Sequence, residues 1–329
     1  MRIKENVSLK GYNTFGIDVR ASRMVEVESV GDCLGEAGRI LREDKCLVLG
    51  SGSDVVFTAD YDGTVVRVTM DGLAEEGDCR VTADAGWVMD DLIATTLQKG
   101  LYGLENLTAI PGTVGAAVVQ NVGAYGIEAK DMVESVEAYD TATGQICRFD
   151  NAGCGFSYRD SMFKQSHGRY LVLRVTFKLH SQYQPVLTYK ALEGVPHATA
   201  DEMRQSIADL RWGKLPRPEE HGSAGSFFKN PIVDKATWER LRTAYPDMPQ
   251  AHAAEGPGEG YKLSAGWLID RAGWKGRTMG RAGVWPKQAL VLYNTGGCTG
   301  DEVVALARAI VCDVKEKYGI ALTPEAIII

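Results

Sequence analysis

The chain has 329 residues, 45% of them apolar and 24% charged, and its formal net charge is −7 at pH 7. At roughly 100–200 residues per domain this length implies two or three domains, and the apolar share supplies a core without help from metals or disulfides. An acidic average argues against non-specific binding to DNA or to an anionic membrane, which needs a broad basic face; a small anionic ligand held by a few Lys or Arg stays compatible with it. The start, MRIKENVSLKGYNTFG, has no apolar h-region, and no stretch approaches the ~20 apolar residues of a membrane span, so neither a signal peptide nor a membrane segment is expected. The 7 cysteines are scattered, odd in number and without a CxxC pair, which reads as reduced thiols in a cytoplasm. The 5 histidines show no HExxH and no ligand spacing, so no metal is expected.

In chain order, the first third reads as short strands punctuated by glycine: Met24–Val27, Leu47–Leu49, Val55–Phe57 and Val65–Val68. A helix fills Trp87–Lys99, with Val88, Leu92 and Thr96 on one face and Gly100 as its stop. A glycine-rich connection follows from Ile110 to Gly126. Leu171, Leu173, Val175, Phe177 and Leu179 alternate with other residues, the period-two pattern of a half-buried strand. Thr199-Ala200-Asp201-Glu202 is a capping box, opening a helix with Met203, Ile207 and Leu210 inward and an end near Gly213. From Pro216 a polar loop reads as a domain junction, and Pro246–Gly260 reads as a surface loop. A second capping box, Thr299 to Glu302, opens the last helix; Val304, Ala307, Ile310, Val311 and Val314 form its core face, and Gly319 stops it. Strands and helices form separate blocks rather than strict βαβ alternation, so the class is α+β.

Five segments could carry chemistry, and each admits a plain reading beside a functional one. Gly50-Ser51-Gly52-Ser53-Asp54, straight after an apolar strand, is a tight turn or a loop whose amides approach an anion. It has neither the third glycine of a dinucleotide fingerprint nor the Lys of a Walker A loop. Ile110-Pro111-Gly112-Thr113-Val114-Gly115-Ala116, continuing through Gly123 to Gly126, keeps small residues over a long run; a packed helix or a cofactor lies against them. Ser226, between Gly225 and Phe227-Phe228, either presents a hydroxyl to a pocket kept dry by the rings or merely shapes an anchored loop. Arg159 in Tyr158-Arg159-Asp160-Ser161 either pairs with Asp160 on the surface or clamps a carboxylate, for which a planar guanidinium suits. Glu325, among apolar residues, either faces out from an edge strand or lines a site with a raised pKa. No GxSxG elbow occurs, so a hydrolase serine has no support.

Taken in order, these pieces resemble the UDP-N-acetylenolpyruvoylglucosamine reductases, flavoenzymes of peptidoglycan synthesis. The resemblance covers essentially the whole chain. Its motifs are Asn13-Thr14-Phe15-Gly16, the Gly50–Phe57 loop, Ile110–Gly126, Tyr158–Ser161, Gly225-Ser226-Phe227-Phe228-Lys229-Asn230-Pro231, Ala265-Gly266-Trp267-Leu268-Ile269 and Pro324-Glu325. Leu187-Thr188-Tyr189 looks like the tyrosine loop of the family's first type. The resemblance implies two domains forming an FAD-binding unit of the vanillyl-alcohol-oxidase-like kind (residues 1–67 plus 320–329, and 68–210) and one substrate-binding domain (211–319). It implies that Gly50, Ser51, Gly52, Ser53, Asp54, Ile110, Pro111, Gly112, Thr113, Gly115, Ala116 and Gly123 hold FAD. Ser226 would be the proton donor, with Arg159 and Glu325 polarising the enolpyruvyl carboxylate. Tyr125, Tyr189, Arg211, Lys214, Asn230 and Gln288 would contact the UDP-sugar. Asp54 stands where the family commonly has Asn, and a carboxylate repels a pyrophosphate unless it points away or meets a cation.

The implied reaction is NADPH-dependent reduction of the enolpyruvyl group through bound FAD. NADPH would share the substrate's pocket, since no Rossmann motif is present. FAD should be non-covalent, because neither Gly50–Phe57 nor Ile110–Gly126 contains a His or Cys. The Tyr189 loop is expected to close over the nucleotide-sugar as a lid. The enzyme is expected to be a cytoplasmic monomer without nucleic-acid or membrane partners. The rival on the same scaffold, another FAD-dependent oxidase or dehydrogenase, gives no reason for Ser226, Arg159 and Glu325 together.

Overall fold

The alternating run Leu171–Leu179 becomes the strand Tyr170–Lys178, the middle strand of a five-stranded antiparallel sheet. Its neighbours are Val133–Asp140, flanked by Gln145–Asp150, and Arg80–Asp84, flanked by Leu73–Gly77. The strand is not half-buried as expected. Leu171 and Leu173 pack on one side with Val25, Ile40 and Tyr139, while Val172, Val175 and Phe177 pack on the other with Leu92, Val114 and Val118. A strand covered on both faces buries apolar residues of both, whatever its alternation; only Tyr170, Arg174 and Lys178 stay partly exposed.

A computed structural model describes residues 1–253 and 260–329. Contacts divide the chain into two units: Met1–Val7, Ala21–Ser51 and Asp62–Gly213 in one, and Ser8–Arg20, Gly52–Tyr61 and Lys214–Ile329 in the other. Besides the five-stranded sheet, the first unit holds a four-stranded sheet in the order Arg2–Ser8, Arg20–Val27, Tyr61–Val68, Cys46–Val48, whose last pair is parallel. Of the expected early strands, Met24–Val27 and Val65–Val68 are extended to Arg20–Val27 and Tyr61–Val68, Leu47–Leu49 runs Cys46–Val48, and Val55–Phe57, in the second unit, is shortened to Val55–Val56. The helix of the first third runs Met89–Gln98, one turn shorter than expected. Val88 is its extended N-cap and is 45% exposed, so it is not on the core face; Met89, Leu92, Ile93 and Thr96 are. The glycine-rich connection contains a helix, Val114–Gln120, that periodicity did not reveal. Val114, Gly115, Ala117 and Val118 are too small to signal an apolar stripe, yet all are buried. The helix Ala200–Lys214 opens as expected, with Thr199 Oγ1 accepting the Glu202 amide at 3.1 Å, and buries Met203 and Ile207.

In the second unit, Ser223–Ser226, Val291–Asn294, Ala282–Val284 and Thr278–Met279 form one sheet in that order. The helix Gly300–Tyr318 packs on it, burying Val304, Ala307, Ile310 and Val314 together with Val303 and Leu306. Its capping box closes at Thr299 and Glu302. Gly319, at φ +72°, is the left-handed cap and returns its amide to the Lys315 carbonyl at 2.9 Å. Val311 is only half-buried. The expected Pro246–Gly260 loop ends in a short strand, His252–Ala253, paired with Tyr261–Lys262; residues 254–259 lie outside the described residues. Ile327–Ile328 pairs in parallel with Val55–Val56. Among the described residues no helix is long and apolar enough to cross a membrane, and no His/Cys/Asp/Glu group could hold a metal.

Candidate active site

In the first unit the Gly50 turn meets the start of the Val114–Gln120 helix. A Cβ on Gly50 would lie 2.9 Å from the Ala116 Cβ and 3.0 Å from Thr113 Oγ1, so only glycine lets the segments approach this closely. Farther along the turn, Gly52 at φ +64° leaves no room either: its Cβ would lie 2.0 Å from the Tyr12 carbonyl oxygen, within the second unit. In the second unit Ser53 and Asp54 are half-exposed. In the first unit Ser51, Ile110, Gly112 and Ala116 are half-exposed and Pro111 is exposed, a surface poor in side chains and rich in backbone that fits a dinucleotide pyrophosphate. The first-turn amides of the helix are already engaged, however. Val114 donates to the Trp87 carbonyl at 2.8 Å, Gly115 to that of Ala85 at 3.0 Å, and Ala116 to Thr113 Oγ1 at 3.3 Å. Gly115 packs closely on Ala85: a Cβ on it would lie 2.9 Å from the Ala85 Cβ. Replacing Gly50 by Val should leave a folded protein that retains less than about a tenth of its cofactor, as flavin absorbance per chain would show; full occupancy would separate this turn from cofactor binding.

Arg159 sits at the apex of a tight turn in which Ser157 and Asp160 exchange backbone hydrogen bonds at 3.0 and 3.1 Å. Its φ of +57° is the left-handed value such an apex needs. The turn is fastened to the end of the Val114–Gln120 helix: Asn121 Nδ2 donates to the Ser157 carbonyl at 2.9 Å, and buried Ser161 donates to that of Val119 at 2.7 Å. Arg159 Nη2 donates to the Gly123 carbonyl at 2.7 Å, while Asp160 accepts from the Ser161 amide and from Gln165. Arg159 and Gly123 are thus brought together, and the guanidinium is aimed by backbone. Asn121, fully buried at φ +43°, was missed as a site residue; its signal is an Asn inside a run of small apolar residues.

Tyr125, Tyr189 and Arg211 also come together in the first unit. The two tyrosine rings meet edge to face at 5.3 Å. Arg211 lies near the Tyr125 hydroxyl and donates to the Ala109 carbonyl at 3.2 Å. Burial holds the Arg211 guanidinium below its ordinary value, with Tyr125 and Asp90 acting in the opposite direction. Burial raises the Tyr125 phenol, and Arg211 partly offsets this. Tyr189 is 49% exposed, an aromatic face open to a ligand.

In the second unit Ser226 ends its strand opposite Val291, after a bulge at Gly225, which has φ +63°. Phe227 and Phe228 are buried and touch at 5.1 Å, while Ser226 is exposed. The anchored-loop and hydroxyl-presenting readings of this motif are therefore one arrangement: the rings fix the strand end and the serine faces out. The Glu325 amide donates to the Phe227 carbonyl at 2.8 Å, holding this half-buried acid one residue from Ser226 in the ladder. Gln288 Oε1 accepts the Leu290 amide at 3.3 Å, and the Leu290 carbonyl accepts the Phe227 amide at 2.8 Å, so Gln288 braces the same strand end. Asn230 Oδ1 accepts the Ala265 amide at 3.0 Å at the start of the helix Ala265–Arg271. Lys214 is exposed at the last position of its helix.

Residues 22–150 match the family model for an FAD binding domain, and residues 217–329 match that for the C-terminal domain of UDP-N-acetylenolpyruvoylglucosamine reductase. The reductase of that name from Pseudomonas aeruginosa is 45% identical over 99% of this chain and 98% of its own. The chain belongs to the UDP-N-acetylenolpyruvoylglucosamine reductase family. A second member, from Azoarcus sp., is 42% identical over 100% of this chain and 98% of its own. The crystal structure of the Thermus caldophilus reductase superposes with a TM-score of 0.72 at 27% identity, covering 100% of this chain and 99% of that one. The enzyme is an FAD-dependent oxidoreductase of peptidoglycan synthesis that uses NADPH to reduce the enolpyruvyl group of a UDP-sugar.

Proposed function

We propose the following division of labour among the residues. Gly50–Asp54, Ile110–Thr113, Gly115, Ala116 and Gly123 hold FAD, with the carboxylate of Asp54 turned away from the pyrophosphate. Bound FAD supplies the hydride chemistry. Arg159 and Glu325 orient the enolpyruvyl carboxylate and stabilise the charge that builds on it as the double bond is reduced, by electrostatics fixed in advance. Ser226 gives up its hydroxyl proton to the carbon next to that carboxylate. Tyr125, Tyr189, Arg211, Lys214, Asn230 and Gln288 bind the UDP-sugar. The observation that carries this reading is the ladder bond from Glu325 to Phe227, which fixes an acid beside the exposed hydroxyl of Ser226.

The domain division 1–67 plus 320–329, 68–210 and 211–319 belongs to the same proposal, as do the tyrosine-loop type, a monomer acting in the cytoplasm, and NADPH sharing the substrate's pocket. That last arrangement implies ping-pong kinetics. The experiment is spectroscopic. The purified protein should be yellow, bleach with NADPH under anaerobic conditions, and recover its colour on adding UDP-N-acetylglucosamine enolpyruvate. A flavin that NADPH bleaches but the enolpyruvyl substrate cannot restore would end the reading. Acid precipitation should release all of the colour, since neither FAD segment offers a His or Cys for covalent attachment; colour left in the pellet would contradict a non-covalent cofactor.

A further inference from the structure

One buried amide holds the Arg159 turn from two sides. Asn121 follows the helix Val114–Gln120 as its left-handed cap, at φ +43°. Glycine is the usual residue for such a cap, so the backbone alone does not call for Asn. The side chain is fully buried, and both of its polar atoms are used. Nδ2 donates to Glu128 Oε2 at 2.8 Å and to the Ser157 carbonyl at 2.9 Å, while Oδ1 accepts the Lys130 amide at 3.0 Å. Among short side chains only the Asn carboxamide offers two donors and an acceptor together.

Both donated bonds bear on Arg159. Ser157 opens the turn that has Arg159 at its apex. Glu128 lies on the other side, paired with Gly123 in a short antiparallel ladder. A Cβ on Gly123 would lie 2.8 Å from Glu128 Cγ and 3.2 Å from Arg159 Nη1, so acid and guanidinium both rest against this glycine. The two residues before Asn121 grip the same turn. The Val119 carbonyl accepts Ser161 Oγ at 2.7 Å, and Lys164 Nζ donates both to Gln120 Oε1 and, at 3.2 Å, to the Arg159 carbonyl. The last turn of the helix therefore carries the Arg159 turn, while the Gly50 turn packs on its first.

We propose that Asn121 is a positioning residue for Arg159: by holding Ser157 and Glu128 with one amide, it fixes where the guanidinium stands relative to the cofactor-binding turn at the other end of the helix. This rests on the reading that Arg159 meets the enolpyruvyl carboxylate. A reacting group displaced by about 1 Å costs on the order of 10²-fold in rate, so the placement of that carboxylate against the cofactor is worth a dedicated brace. Losing Asn121 should act on the step that uses the carboxylate. It should spare cofactor loading, because the helix start is fixed separately by the Trp87 and Ala85 carbonyls.

The test uses Asn121→Gly holoenzyme and stopped flow. Glycine keeps the left-handed cap and removes only the side chain. FAD per chain and bleaching by NADPH should stay parental, while reoxidation by saturating UDP-N-acetylglucosamine enolpyruvate should slow roughly 10–10²-fold. Asn121→Asp has the same size and keeps the acceptor for the Lys130 amide but loses both donors; it should show the same split, and it serves if the glycine variant does not fold. Adding Asn121→Gly to Arg159→Lys should slow reoxidation by less than about threefold further, because both act through one guanidinium. Parental reoxidation in Asn121→Gly would make Asn121 a helix cap only and overturn the proposal. Equal losses in both half-reactions, or full additivity with Arg159→Lys, would overturn it as well. Parental reoxidation in Arg159→Lys alone would instead sink the underlying reading of the arginine.

Discussion

Ser226→Ala is expected to bind FAD and accept electrons from NADPH at close to the parental rate, yet to be reoxidised by the enolpyruvyl substrate at least ~10²–10⁴-fold more slowly, the cost of losing a general acid. The split follows from the order of events. The hydroxyl proton is needed only after hydride has reached the substrate, so the first half-reaction does not sample it. The fold supports a clean experiment, because the strand end is anchored by buried Phe227 and Phe228 and by the Phe227 ladder bonds to Leu290 and Glu325, none of which uses the serine side chain. Ser226→Cys should recover part of the lost rate, since a thiol also carries a transferable proton. If Ser226 only shaped the turn after Gly225, Ala would be nearly harmless and Cys no better. Stopped-flow traces of the two half-reactions separate these cases, and parental reoxidation in Ser226→Ala would remove the serine from the chemistry.

The parts of this site that could be read in the sequence are those whose determinants are local. Thr299 and Glu302 announce a helix start because the cap is satisfied within one turn, and Gly319 announces its end because a left-handed cap favours glycine. Ser226 stands out because a glycine and two large rings flank it. Val114–Gln120 was harder: its buried face is built from glycine, alanine and valine, and what calls for such small residues is Ala85, 30 positions away in the chain, touching Gly115. Asn121 was harder still. It is buried and bonds the Ser157 carbonyl, 36 residues away, so nothing beside it in the chain reveals the role. The aim of Arg159 is similar. The turn sequence left a surface pair with Asp160 and a carboxylate clamp both open, and the bond to the Gly123 carbonyl, from a turn fastened by Asn121 and Ser161, was not legible in it. Burial of the Tyr170–Lys178 strand on both faces also depends on what the rest of the chain lays against it.

Arg159→Lys should be nearly as damaging as removing the side chain. The substitution keeps a positive charge and a residue able to occupy φ +57°, so the Ser157–Asp160 turn and its bonds to Asn121 and Val119 have no reason to change. What disappears is the planar fork. Arg159, whose Nη2 donates to the Gly123 carbonyl, is a rigid planar guanidinium, whereas an ammonium is a point charge on a flexible stem. The reaction needs that charge fixed where negative charge develops, and losing one preorganised donor of this kind costs about 10²–10³-fold in rate. Reduction of the enolpyruvyl substrate should therefore fall by about that factor, with bleaching of the flavin by NADPH largely kept and KM for the UDP-sugar changed far less than kcat. An equal loss in both half-reactions would show instead that Arg159 supports the Gly123 backbone and not the carboxylate, and the role assigned to it would have to be withdrawn.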